Sequence, residues 1–185
     1  ILGDLRYNDR WSGLSLAHAA AERKTTADFL KRFEAIDTSG FSDTDKLNQQ
    51  LMVRQLKDSL KSYDLKLNEM PLDQMSGVHI ALAGFVSSIP FNNTKEYDDY
   101  LTRLRAVPKA FDQVIGVAKQ GMADKMMPPK YLLEKVVTQI ASIEKPAGMD
   151  SVFAEPLKHF PKSVSAADQK RLHDAILAAI DDDVR

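Results

Sequence analysis

The sequence predicts an all-α fold, a multi-helix antiparallel array. Apolar residues recur at three- and four-residue steps along most of the 185-residue chain. Glycine and proline, eight of each, fall mostly between those periodic segments. No segment sustains the alternation of a strand.

The elements follow in order. Ser15 is placed to cap a first helix carrying Ala19, Ala20, Ala27, Leu30, Phe33 and Ile36, which should end near Gly40 in a left-handed residue. Ser42 and Asp45 approximate a capping box, and Leu47, Leu51, Leu56, Leu60, Tyr63 and Leu67 mark a second helix antiparallel to the first. The period is lost from Met70 to Gly77, which predicts an ordered loop, and a short apolar helix should run from His79 to about Ser88 before Pro90. Thr94 is the expected cap of a helix through Tyr97, Leu101 and Leu104, kinked at Pro108 and continuing through Phe111, Ile115, Ala118 and Met122. Pro128 and Pro129 suit the first turn of a further helix, whose wide apolar face (Leu132, Leu133, Val136, Val137, Ile140, Ile143) predicts deep burial. Residues 145–164 read as a looser connection with a short helix around Phe153 to Phe160. Ser165 and Asp168 then open a last helix with Leu172, Ile176, Ile180 and Val184 at a four-residue step.

Composition narrows the function. A hydrophobic content of 44% over 185 residues predicts one helical domain spanning residues 1–185. With 25 Lys plus Arg against 26 Asp plus Glu, no global charge draws the chain to nucleic acid. No apolar run reaches the roughly 20 residues of a transmembrane helix. The absence of cysteine excludes disulfides and thiolate metal sites. The chain starts at Ile1, and Asp181, Asp182 and Asp183 would oppose the dipole of a helix ending here, so the expectation is an N-terminal fragment of a longer protein whose last helix continues past Arg185.

The candidates for chemistry gather around the loop. His79 follows Gly77 at a loop-to-helix junction, where an imidazole can exchange a proton or orient a substrate, or serve as a hydrogen-bonded structural residue. Glu69, Asp73 and Gln74 are expected to line the same concavity as His79 and present polar groups to a ligand, or else to cap helix ends and tie the loop down. No metal ligands are assigned, because His18, His79, His159 and His173 are widely separated and form no HExxH pair. The three consecutive aspartates read as a solvated helix face, as do Arg103, Arg105 and Lys109.

The segment KLNEMPLDQMSGVHIALAGFVSSIP (Lys66 to Pro90), the stretch that follows it to Ile140 and the opening LGDLRYNDRWSGLS (Leu2 to Ser15) carry a family likeness. They resemble the N-terminal half of the bacterial family called domain of unknown function 885 (DUF885), whose full-length members look like helical, zincin-like zinc peptidases. The resemblance implies an HExxPGHH-like zinc site in a C-terminal half, so zinc is expected in the full-length protein and none in residues 1–185. No residue of this chain matches that motif, and no catalytic residue is assigned. The implied role is one wall of a cleft for a peptide substrate, completed by the missing C-terminal half. Export to the periplasm or a lipid anchor is implied in the same way. The competing reading is a non-catalytic helical module that binds a peptide or protein.

Overall fold

A computed structural model describes residues 5–185. Their α-helices are α1 (Leu16–Glu34), α2 (Asp43–Asp64), α3 (Val78–Gly84), α4 (Thr94–Arg105), α5 (Val107–Asp124), α6 (Lys130–Glu144) and α7 (Ala166–Ala179), joined by short 3-10 turns. No strand occurs among the described residues, so the fold is all-α as the periodicity predicts. Residues 2–4 of the opening family-like stretch lie outside the described residues. Contacts gather the chain into two compact units. One holds residues up to Ser12, Pro71–Ile115 and Pro128–Arg185; the other holds Gly13–Met70 and Gly116–Met127.

In the unit containing Gly13–Met70, α1 and α2 form a helical hairpin. Ser15 Oγ accepts from His18 N at 3.1 Å and Ser42 Oγ from Asp45 N at 3.2 Å, answering one orphan donor at each helix start. Arg23 pairs with Asp64 at 2.8 Å, while Lys57 pairs with Glu34 at 2.8 Å and Gln49 Nε2 donates to Phe33 O at 2.8 Å. Arg23 with Asp64 and Gln49 with Phe33 match the early part of one helix with the late part of the other, which makes the two antiparallel. Helix α1 stops at Glu34, well before Gly40. The cause is local: Asp37 accepts from Ser39 N at 2.9 Å and from Ser39 Oγ at 3.0 Å, a side-chain turn that competes with further helical bonds. Gly40 therefore takes no left-handed conformation; at the end of α2 it is Lys66 that does, with φ 58°.

The other unit carries the aromatic core. Tyr97, Tyr100 and Leu104 of α4 pack with Leu172 and Ile176 of α7 and with Phe153 and Leu157 of a 3-10 turn, Val152–Leu157. Tyr100 Oη donates to Phe153 O at 2.7 Å and Tyr97 Oη to Pro156 O at 3.1 Å. The expected loose connection is thus part of the core, with Phe153 fully buried. Pro156, which lacks an N–H, keeps the segment from becoming an α-helix.

Several boundaries differ from the sequence expectation. Asn93, not Thr94, caps α4, its Oδ1 accepting from Glu96 N at 3.2 Å. The predicted kink at Pro108 is a break: α4 ends at Arg105, α5 begins at Val107, and Pro108 sits in the new first turn, where its missing N–H costs nothing. Pro129 flanks α6 rather than entering it. Helix α6 is also far from deeply buried, since only Val136 is inside while Val137 is 68% and Tyr131 60% exposed. Its apolar face is wider than the surface available to cover it within this unit.

Arg103, expected on a solvated face, lies instead over the rings of Trp11 and Phe85 at 4.6 and 5.0 Å. After Ala179 the last helix widens into a π-helical turn over Ile180–Val184, and Asp181 pairs with Arg185 at 3.0 Å.

Candidate functional site

The loop before α3 is built by Asp73. Its carboxylate accepts from Met75 N at 2.6 Å, Ser76 N at 2.8 Å and Ser76 Oγ at 2.8 Å, while Asp73 N donates to Ser76 O at 3.0 Å. Those bonds, led by the one from Met75 N, hold the Asp73 carboxyl below its ordinary pKa. Both oxygens are engaged in shaping the turn. Gly77 then takes φ 132°, and a Cβ there would lie 2.8 Å from Leu72 Cδ2 and 3.0 Å from His79 Nδ1. Glycine lets the backbone pass this close to the imidazole.

His79 sits in the first turn of α3 and is 1% exposed. Its Nε2 lies 3.2 Å from Gln139 Oε1, and Gln139 Nε2 donates to Gln74 O at 3.0 Å. The second bond fixes the first, because a backbone carbonyl can only accept, so the amide must turn its oxygen toward the ring. Nε2 therefore carries the hydrogen, and in the neutral ring Nδ1 is left as an acceptor. Nδ1 is buried and has no hydrogen-bond partner among the described residues.

Gln74 thus meets His79 through its backbone carbonyl rather than its side chain, by way of Gln139. Sequence reasoning missed Gln139. The available signal was a polar residue three positions after Val136, on the inward stripe of an apolar helix, where an amide needs a partner.

A pocket of about 300 Å³ opens beside this cluster, lined by His79 and Leu82 of α3, Val107 and Phe111 of α5, and Ile140 and Ile143 of α6. It is at the small end of ligand-binding clefts and mainly apolar, with a few polar groups at its edge. Of the four sequence candidates, His79 alone lines it.

Glu69 belongs to the unit of the helical hairpin and is 8% exposed. Burial and the neighbouring Asp124 carboxyl push its pKa up, and Lys66 opposes them. Asp124 goes the other way, held down by Lys66 and by Gln120 Nε2, which donates to it at 3.1 Å. One oxygen of Glu69, Oε2, has no hydrogen-bond partner among the described residues. Gly121 permits this packing, since a Cβ there would stand 2.3 Å from Glu69 O. Two carboxyls and one ammonium form a charge cluster that pushes the two carboxyls apart in pKa, rather than a nucleophile with its base.

Among the described residues no group of three or more His, Cys, Asp or Glu side chains is placed to hold a metal ion. His18 lies 3.3 Å from Glu22 and His173 lies 3.4 Å from Asp174, each with a single carboxylate neighbour. This donor set does not fit zinc. Among the described residues no helix is long and apolar enough to cross a membrane.

Comparison with known proteins gives two findings. The sequence profile of the family described as bacterial protein of unknown function (DUF885) matches residues 1–185. The crystal structure of a Colwellia psychrerythraea protein described as a putative lipoprotein is similar in fold, with a TM-score of 0.77 at 16% identity. The likeness covers 95% of this chain and 32% of that one, so the chain spans about a third of the length of the solved structure it matches. No curated protein matches the sequence.

Proposed function

Since the chain belongs to the DUF885 family of bacterial proteins of unknown function, we propose that it is the N-terminal, cleft-forming part of a larger zinc-dependent peptidase. In this reading residues 1–185 position a peptide, and zinc held elsewhere in the protein would supply the chemistry of hydrolysis. The observation that carries the proposal is the pocket beside His79, an apolar recess next to an imidazole whose orientation is fixed by Gln139 and the Gln74 carbonyl. Such a recess holds a side chain while polar groups at its edge set direction. The fit of this fold to about a third of a longer relative supports a division of labour between a cradle and a catalytic part. The description of that relative supports export and a lipid anchor for this protein as well.

A second reading, a helical module that binds a peptide or protein without cleaving it, draws on the α1–α2 hairpin. There Phe29 is 42%, Leu47 53% and Leu51 53% exposed. Exposed apolar side chains grouped on one hairpin are a mark of an interaction surface.

The test uses the full-length protein. Zinc is measured after dialysis and peptide hydrolysis is followed on a mixed-sequence library, for the native protein and for Ile140→Trp, which fills the pocket. The proposal expects about one zinc per chain, hydrolysis abolished by a chelator, and turnover lowered at least tenfold in Ile140→Trp with the metal retained. Peptide binding without zinc or turnover would overturn it in favour of the second reading. Normal turnover in Ile140→Trp would remove the pocket from the cleft.

A further inference from the structure

The edge of the His79 pocket is chemically lopsided. Its walls are mainly apolar, yet the lining also includes Glu144 at the end of α6 and Asp182 and Asp183 in the π-helical turn, all three exposed or half-buried. The cation among the lining residues is Arg185, and its guanidinium is occupied: Nη1 donates to Asp181 at 3.0 Å and Nε to Glu144 O at 3.0 Å. Three carboxylates therefore stand against one engaged guanidinium.

From this arrangement we infer that the pocket is a subsite for an apolar side chain carried next to a positive charge, such as a leucine or phenylalanine residue with a free amino group or a flanking lysine or arginine. The apolar group enters between Leu82, Phe111 and Ile140, and the cation stays at the wet mouth against Asp182 and Asp183. The volume sets an upper limit on the guest: about 300 Å³ is on the order of ten water molecules. That space suits one large side chain and its attached backbone, not an extended peptide. An acidic guest would meet three like charges at the entrance and is disfavoured. A neutral apolar guest gains burial without the attraction at the mouth.

The inference rests on the cleft reading and names the residue class that the cleft would select. It is tested by binding rather than by turnover, so that the two can fail separately. Phenylalanine amide, N-acetyl-phenylalanine amide and N-acetyl-phenylalanine are compared as cationic, neutral and anionic forms of one side chain. Calorimetry or saturation-transfer NMR with the full-length protein reports binding. The expected order is cation first, with the neutral amide roughly three- to tenfold weaker and the anion weaker still, the gap narrowing as salt is raised. The double variant Asp182→Asn, Asp183→Asn should erase most of that gap while keeping the neutral amide's affinity, and Ile140→Trp should remove binding of all three.

Equal or reversed affinities would overturn the charge preference, and no saturable binding of any probe would overturn the subsite. If the amide binds as expected while the full-length protein hydrolyses nothing and holds no zinc, the subsite stands and the peptidase reading falls. If hydrolysis is found but shows no preference for apolar residues beside a cation, the reverse holds.

Discussion

Gln139 Oε1 accepts the Nε2 hydrogen of His79 across 3.2 Å, joining α6 to the first turn of α3 over 60 residues of sequence. The bond is one of two made by the same amide, the other being Nε2 to the Gln74 carbonyl. A single glutamine thus orients the imidazole and anchors the preceding loop.

Replacing it separates those effects. Gln139→Leu keeps the volume but leaves the buried His79 Nε2–H and the half-buried Gln74 carbonyl without partners, at a cost of about 1–3 kcal/mol for the imidazole and less for the carbonyl, which water can reach. Urea denaturation should show the loss. Nitrogen-15 NMR of the imidazole should show one Nε2–H tautomer in the native protein and a mixture in the variant. An unchanged tautomer in Gln139→Leu would mean that another group orients the ring.

Gly77 is the second point on which the imidazole depends. Its φ of 132° is a conformation that L side chains rarely adopt, and a Cβ there would meet both Leu72 and His79. Gly77→Ala should therefore cost on the order of 1–3 kcal/mol in backbone strain, with steric repulsion added. The His79 ring resonances should shift in the same variant. Gly40→Ala provides the control, because that glycine has no positive φ and a Cβ added to it would meet nothing within 4 Å, so the melting temperature should not fall.

The buried carboxyl of Glu69 gives a pH dependence whose sign can be worked out. Its pKa is raised above the ordinary 4.5, chiefly by burial, so its contribution to stability is fully present below that value and is lost as pH rises through the folded pKa. Asp124 opposes it. Held below 3.8 chiefly by Lys66, it contributes stability above that value and loses it as pH falls through its own folded pKa. Glu69→Gln carries no charge and should be more stable than the native protein at neutral pH, with the difference shrinking as pH falls toward 4.5. Thermal melts at several pH values would show it. A variant less stable than the native protein at neutral pH would mean that the Glu69 carboxylate is favourably paired.

The helical fold and its starts are written in short-range chemistry and can be read from the chain. Ser15, Ser42 and Ser165 each answer an N–H three residues ahead, a bond that needs no distant partner. What could not be read depends on contacts between remote residues. Phe153 looks like part of a proline-rich connection until Tyr100, 53 residues earlier, reaches its carbonyl. The apolar face of α6 promises burial, but periodicity records which side is apolar and not whether anything covers it. The candidate site divides in the same way. His79 was visible as an imidazole at a loop-to-helix junction, while Gln139 was not, because its meaning lies in a pairing 60 residues long. Asp73 was visible as a loop residue, and its bonds to Met75 and Ser76 give it that role.

Trp11 offers a direct view of the aromatic core, since it is the single tryptophan of the chain. Its Nε1 donates to Arg103 O at 2.8 Å, its ring meets Phe85 edge-on at 4.9 Å, and the Arg103 guanidinium lies 4.6 Å above it. Burial lowers the pKa of Arg103 from its ordinary value, and its Nε has no hydrogen-bond partner among the described residues, so the attraction of the two ring faces offsets part of the cost of bringing the cation inside. Lysine keeps the charge but lacks the planar group that stacks on both rings. Arg103→Lys should therefore lose about 0.5–2 kcal/mol of stability and shift tryptophan emission to longer wavelength as water reaches the indole. The backbone bond from Trp11 survives that substitution, so Trp11→Phe, which removes it, should cost more. Equal stability of Arg103→Lys and the native protein would show that charge alone, without the stacked plane, holds this corner of the fold.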